Sequence, residues 1–302
     1  RVLTGEGDAT TSMVIMGIST VINLWLDWLF ILGFGWGIAG AAWATAIANA
    51  ISLVLFLLRL FIQRRSVVRI RLAHAWPHAA LWRGLWILGV PTVAGQLIMA
   101  VGAGLNNRLL TEFGWSTVSG YGAASRVDMI VAMPIFGLAG AAVTLVGMFA
   151  GAGRADLLRG IALYTYRWGV TLALVVGALA YLASGPILRL FVDSEAAVAV
   201  GEHYLGYMLF MYPLMAFGMT TGRLLQGLGY GLPSLVITFV RVLAIGVPIA
   251  YVAVLVYDAP VDAVWTAILI GAGSSSLISV IWVRQLVWKS DPTARASAPA
   301  TG

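Results

Sequence analysis

The sequence predicts an all-α, polytopic membrane protein, and three observations carry that reading. The 302 residues are 61% hydrophobic and only 10% charged, with a mean hydropathy of +0.94; a soluble domain carries roughly a quarter charged residues and needs polar surface to cover itself. The apolar runs are about 20–25 residues long, the length at which a helix crosses a ~30 Å hydrocarbon core. Backbone groups in lipid must be bonded internally, so a crossing segment is a helix or part of a closed barrel, and barrel strands would read as ~10-residue alternating segments.

Eight spans follow in order: 11–33, 38–61, 84–106, 118–150, 161–183, 200–222, 232–256 and 261–287. The fourth is long and carries Pro134 near its middle, where a missing backbone donor favours a bend. Loop charge orients the set. The segment 62–83 carries Arg64, Arg65, Arg69, Arg71 and Arg83; Arg154 and Arg159 follow the fourth span, Arg223 follows the sixth, and Arg284, Lys289 and Arg295 mark the C-terminal end. The alternate loops hold only Arg108 and Arg189, and the acidic Asp193, Glu195, Asp258 and Asp262 gather there. The positive-inside rule then puts both ends of the chain and the 62–83 loop in the cytoplasm. The tail 289–302 is small, polar and Pro-containing, a composition expected to stay disordered.

Several function classes fall away. There are no cysteines, hence no disulfide framework and no Cys-based metal or redox site, and the three histidines lie scattered at 74, 78 and 203. The net charge of +6 is accounted for by the basic loops, so no nucleic-acid partner is expected. The GAGR and GLGYG stretches lack the GK[ST] ending of a phosphate loop and follow no strand. With no HExxH, no serine triad and no DDxxD-type acidic pair, the chain is not expected to be an enzyme.

A repeat organises the spans. At an offset of 222, RVLTGEGDATTSMVI aligns with RLLQGLGYGLPSLVI at Arg, Leu, both glycines, Ser, Val and Ile, and Trp43 aligns with Trp265. Each copy is an Arg and a GxG turn feeding a two-helix hairpin. The second hairpin closes a set of six spans, so the first should close an equivalent set, as in transporters built from two halves. The expected organisation is 1–61 as the end of an N-terminal lobe, 62–83 as a basic cytoplasmic linker and 84–288 as a complete C-terminal six-helix lobe, with four helices expected to precede residue 1.

Ionisable side chains are costly inside a bilayer and mark function when present. Asp27, Arg126, Asp128 and Arg241 stand out deep in the spans. Asn23 precedes Asp27 by four residues, so the two share a helix face. A carboxylate and an amide carbonyl supply hard oxygen ligands for Na⁺, and a carboxyl held out of water can instead exchange a proton near neutral pH. Thr45 can add a hydroxyl from the next span, which the short GFGWG connection makes an antiparallel neighbour. Arg126 and Asp128 lie two apart and point in different directions; both are read as snorkelling toward the outer interface or lining a substrate path. Gln96, after Pro91, and Arg241 are candidates for the same path. Met99, Met211, Met215 and Met219 suit an adaptable apolar surface, and Met215 is assigned to the same path.

The stretch GDATTSMVIMGISTVINLWLDWLFILGFGWGIAGAAWATAIANAI resembles the helix 5–6 hairpin of multidrug and toxic compound extrusion (MATE) transporters. SRVDMIVAMPIFGLAGAAVTLVGMFAGAGR resembles their eighth helix, and RLLQGLGYGLPSLVITFVRVLAIGVPIAY the link into their eleventh. The resemblance runs from about residue 1 to 288 and matches a start just before the fifth of twelve helices, a truncated chain. In one branch of that family an Asn and an Asp of helix 5 and a Thr of helix 6 form the cation site with an Asp of helix 1; Asn23, Asp27 and Thr45 match the first three. Another branch places acidic residues on helices 7 and 10. PTVAGQLIMAVGAG and MLFMYPLMAFGMTTG contain none, which argues against an ion site in the C-terminal half. At offset 222 the three polar positions become Ile245, Ile249 and Ala267, so the fold does not require them.

The resemblance implies a secondary active antiporter in the bacterial inner membrane. It would export small organic compounds, chiefly cationic, in exchange for H⁺ or Na⁺ by alternating access, as a monomer and with no cofactor beyond the coupling ion. Two alternatives stay open. A lipid-linked oligosaccharide flippase of the same superfamily would want clustered cavity arginines, for which only Arg126 and Arg241 qualify. An integral-membrane prenyltransferase would want the paired acidic motifs that are missing.

The cysteine-free background makes single cysteines clean reporters of sidedness. Asp258→Cys is expected to react with a membrane-impermeant maleimide in intact cells, and Ser66→Cys only after the membrane is breached. The opposite pattern would invert the orientation.

Overall fold

The structure, a computed structural model, describes residues 8–62 and 79–285. Most of the expected linker and all of the expected tail fall outside these residues. Those described are helical nearly throughout, with no strand among them. By contacts the chain divides into two units, Arg1–Pro77 and His78–Gly302.

The first unit is a helical hairpin. Helix α1 spans Ala9–Asp27 and runs into a wide, π-type turn at Trp28–Gly33; α2 spans Gly37–Ile62. Asp8 caps α1 by accepting the Thr11 backbone N–H at 3.1 Å, which satisfies one of the donors left free at a helix start. Arg59 of α2 reaches back to the same carboxylate at 3.1 Å. Hydrogen bonds from Thr11, and then Arg59, hold the Asp8 carboxyl below the usual carboxylate range. Gly35 and Gly37 take positive φ values of 68° and 55° at the turn between the helices, where side-chain-bearing residues would be strained. Phe30, Phe34 and Trp36 stack over that turn.

The second unit holds the rest: α3 (Ala79–Leu110), α4 (Trp115–Gly151), α5 (Ala155–Leu182), the short α6 (Ser184–Arg189), α7 (Glu195–Gly227), α8 (Leu232–Phe239), a second wide turn at Val240–Gly246, α9 (Val247–Tyr257) and α10 (Asp262–Val283). Helix α3 starts at Ala79, inside the stretch expected as linker, because Ala79–Trp82 carries no breaker and simply extends the span. Helix α4 runs unbroken through Pro134. Six segments are long and apolar enough to cross a membrane: 9–33, 37–59, 115–151, 156–182, 232–257 and 262–283. The third and sixth expected spans coincide with α3 and α7, helices of 32 and 33 residues. Large apolar side chains such as Leu182 and Phe210 remain exposed along the helices, at 80% and 70%, as lipid-facing residues do.

Helix α7 is the axle of this unit, packed on α4, α5 and α10. Small residues let it approach closely, the usual solution where lipid gives apolar side chains no reason to prefer protein. A Cβ at Gly120 of α4 would fall on the Ala197 carbonyl of α7, and one at Gly177 of α5 would lie 2.5 Å from the Tyr212 ring. Ser276 of α10 donates to the Leu214 carbonyl of α7 at 3.0 Å, and Tyr166 of α5 bonds Thr221 of α7 at 2.8 Å. Trp265, fully buried, stacks on Tyr121 and meets the edge of Tyr204, tying α10 to α4 and α7.

The two copies of the sequence repeat are both hairpins. Ala9 and Gly37 open the helices of the first; Leu232 and Asp262 open the segments of the second, one and three residues from strict correspondence. The wide turns do not correspond: one follows Asp27, the other contains Arg241.

Gly120→Ala is expected to cost about 1–3 kcal/mol by overpacking the α4–α7 contact. Gly140→Ala, which meets open space, should be neutral or slightly stabilising. Thermal unfolding of the two purified variants in detergent compares them directly.

Candidate functional site

Two groups of polar side chains emerge, one in each unit.

In the first unit, Asn23 and Thr45 face each other across the hairpin. The Asn23 amide lies 3.5 Å from Thr45 Oγ1, and that hydroxyl donates to the Ala41 carbonyl at 3.0 Å. These bonds turn the Asn23 amide nitrogen toward Thr45 and leave the Asn23 carbonyl oxygen and a Thr45 lone pair as acceptors. Asp27, one turn on from Asn23, is half-buried, and its Oδ1 is buried without a hydrogen-bond partner among the described residues. An orphaned carboxylate oxygen is expensive in a low-dielectric setting. Hard oxygen donors with an unused acceptor fit a proton or a small hard cation. The wide turn begins at the residue after Asp27, where the helix departs from regular geometry, a placement common at functional sites.

In the second unit a cavity of about 370 Å³ opens between α3, α4, α7, α8 and the second wide turn. That volume lies in the range of small-molecule sites. Gln96, Asp128, Met215 and Arg241, four of the five residues assigned to a substrate path, all line it, together with Met99, Met208, Met211 and Met219. The fifth, Arg126, does not. It is exposed on α4, with its guanidinium carbon 5.1 Å above the Phe191 ring. Two residues along a helix is a rotation of about 200°, so Asp128 turns inward when Arg126 turns out. Of the two expectations for Asp128, the cavity position fits lining a path and not snorkelling to the interface. Its carboxylate accepts the Tyr204 hydroxyl at 2.6 Å on Oδ2 and the Tyr212 hydroxyl at 2.5 Å on Oδ1. Both tyrosines are buried, and Tyr204 is held in place by Tyr121 and Trp265.

The sequence reading missed this clamp. It looked for acidic residues on the third and sixth spans, but the carboxylate of the C-terminal half comes from the fourth. The sixth supplies tyrosines eight residues apart, which share a helix face. That spacing was the available signal.

Arg241 sits in the second wide turn, half-buried, with Nη2 3.0 Å from Met99 Sδ. Cβ atoms at Gly246 and Gly271 would collide with the Arg241 carbonyl oxygen, so those glycines make room for the widened backbone. Among the described residues no carboxylate lies within salt-bridge distance of Arg241. Arg223, also at the cavity, donates to Gln226 at 3.4 Å.

The described all-helical fold is similar to solved structures of MATE transporters. One described as the outward-facing conformation of a multidrug resistance MATE family transporter of the MOP superfamily superposes with a TM-score of 0.88 at 29% identity, covering 95% of this chain and 64% of that one. Residues 91–252, more than half of the chain, match the MatE family, and the chain belongs to that family. A probable multidrug resistance protein NorM of Thermotoga maritima is 23% identical over 291 residues, covering 95% of this chain. The multidrug export protein MepA of Staphylococcus aureus is 24% identical over 249 residues, 82% of this chain and 54% of its own length. The chain thus spans 62% of the length of the Thermotoga relative.

Tyr212→Phe strands one Asp128 oxygen without its donor, at an expected cost of about 1–3 kcal/mol. In a double-mutant cycle with Asp128→Ala the two losses should not add, because either change removes the Tyr212–Asp128 bond. Additive losses in thermal unfolding would show that the clamp does not couple these residues.

Proposed function

We propose that the protein exports small organic compounds, chiefly cationic, across the bacterial inner membrane in exchange for H⁺ or Na⁺, by alternating access. The observation that carries this reading is the cavity of the second unit: every residue that lines it lies within the segment 91–252 that matches the MatE family. Its walls suit varied ligands. Methionines are flexible and polarizable and repack around different shapes, and Asp128 offers a negative centre whose position is set by two tyrosines rather than by a built-in cation. The names of the relatives, multidrug resistance and multidrug export proteins, support the same substrate class.

Coupling is assigned to Asn23, Asp27 and Thr45. A transporter converts an ion gradient into export only if ion and substrate bind its alternating states with different affinity. Asp27 is suited to this because its unpartnered oxygen gains most from a proton or cation, and Asn23 and Thr45 supply the neighbouring oxygens. The sequence contains no GK[ST] phosphate loop, and the reading assigns the driving force to an ion gradient.

The test is efflux of ethidium from cells carrying wild type or Asp27→Asn at matched expression, with a proton or a sodium gradient imposed in turn. Wild type is expected to export, the variant to fall to the level of cells without the protein, and the gradient that drives wild type names the ion. Undiminished export by Asp27→Asn would remove Asp27 from the coupling role.

A further inference from the structure

The transport reading above gives Arg241 no role. Arg241 is a permanent cation on the wall of the cavity, with a thioether sulfur at 3.0 Å and no carboxylate within salt-bridge distance among the described residues. Placing a guanidinium in a membrane span is costly unless it is paired, and the structure accommodates it deliberately: the helix widens at Val240–Gly246, and Gly246 and Gly271 make space for the displaced carbonyl. Asp128 lines the same cavity but is already engaged by Tyr204 and Tyr212.

From this we infer that Arg241 is the anchor for a carboxylate carried by the transported compound, so that the cavity accepts organic acids and zwitterions with an apolar body as well as cations. A planar guanidinium presents paired N–H donors whose spacing matches a carboxylate, and charge-assisted bonds of that kind gain strength away from water. Arg223 also lines the cavity, where it donates to Gln226; Arg241, whose hydrogen bond goes to a weakly accepting thioether, is the guanidinium placed to meet a carboxylate. Gln96 adds an amide on the same wall, and Met99, displaced from the guanidinium by the arriving oxyanion, remains as an apolar contact. A compound that also carries a positive group finds Asp128 in the same cavity.

The inference rests on the transport reading for its biological meaning, and its test is arranged to stand apart from that reading. Rhodamine 110, which carries a free carboxylate, and rhodamine 123, its methyl ester, share one ring system. Fluorescence polarisation measures the affinity of each for the purified protein in detergent, with no gradient. Wild type is expected to bind both. Arg241→Gln should weaken the free acid by about tenfold or more, the scale of a lost charge-assisted bond, while leaving the ester within about twofold. Arg241→Lys keeps the charge without the fork and should recover most of the affinity for the acid. The wild-type comparison of acid and ester needs no variant, so a misfolded Arg241→Gln does not remove the test. Failure of wild type to bind the acid, or equal weakening of acid and ester in a variant that keeps its thermal midpoint, overturns the inference. If ethidium export persists while the acid does not bind, only this inference falls; if the binding pattern holds but no dye is exported, only the transport reading falls.

Discussion

A carboxylate on a predominantly apolar helix has no bulk water to turn to, and satisfying Asp128 from within ties together the helices around it. Asp128 obtains two donors from α7, Tyr204 and Tyr212. For both hydroxyls to arrive, α7 has to lie close to α4 along two turns; Gly120 and Gly201 supply that closeness, and Gly177 of α5 makes room for the Tyr212 ring. For Tyr204 to hold its angle, Tyr121 and Trp265 have to pack on its ring, which draws in α10. The order of these dependencies runs from one polar group outward to three helices.

The first unit meets the same constraint differently. Its hairpin closes Asn23 on Thr45 and leaves an Asp27 oxygen with no donor among the described residues. One carboxylate is saturated and the other is not. Saturated polar groups rigidify a structure. Unsaturated ones hold free energy that an arriving proton or ion releases. The proposed coupling uses both: a carboxylate fixed by tyrosines in the cavity, and at Asp27 one left open to a proton or an ion.

Wide helical turns lie beside two of the intramembrane charged groups. One begins just past Asp27, the other holds Arg241. Such turns weaken the regular i→i−4 ladder and re-aim side chains. They fall at non-equivalent positions of the two repeats, so the shared hairpin scaffold does not demand them. The local sequences differ where function differs: Asn23, Asp27 and Thr45 have Ile245, Ile249 and Ala267 as counterparts, while the counterpart of Arg241 is Ser19.

Much of this protein was legible in the sequence. Hydrophobic length determines the number and order of spans, because the bilayer imposes one length scale on every crossing helix. Helical spacing places Asn23 and Asp27 on one face, and the short GFGWG connection makes Thr45 a neighbour across the hairpin; the Asn23–Thr45 contact follows from local rules alone. What the sequence could not supply was the partnership of residues far apart in the chain. Asp128 and Arg126 look alike as intramembrane charges two positions apart, yet one turns into a cavity and the other over Phe191. Tyr204 and Tyr212 lie 76 and 84 residues from the carboxylate they clamp. Which face of each helix turns inward depends on small residues on its neighbours, so helix rotation is a property of the packed bundle. Tertiary structure alone decided that Asp128 is clamped by two hydroxyls while Arg241, among the described residues, meets a thioether and no carboxylate.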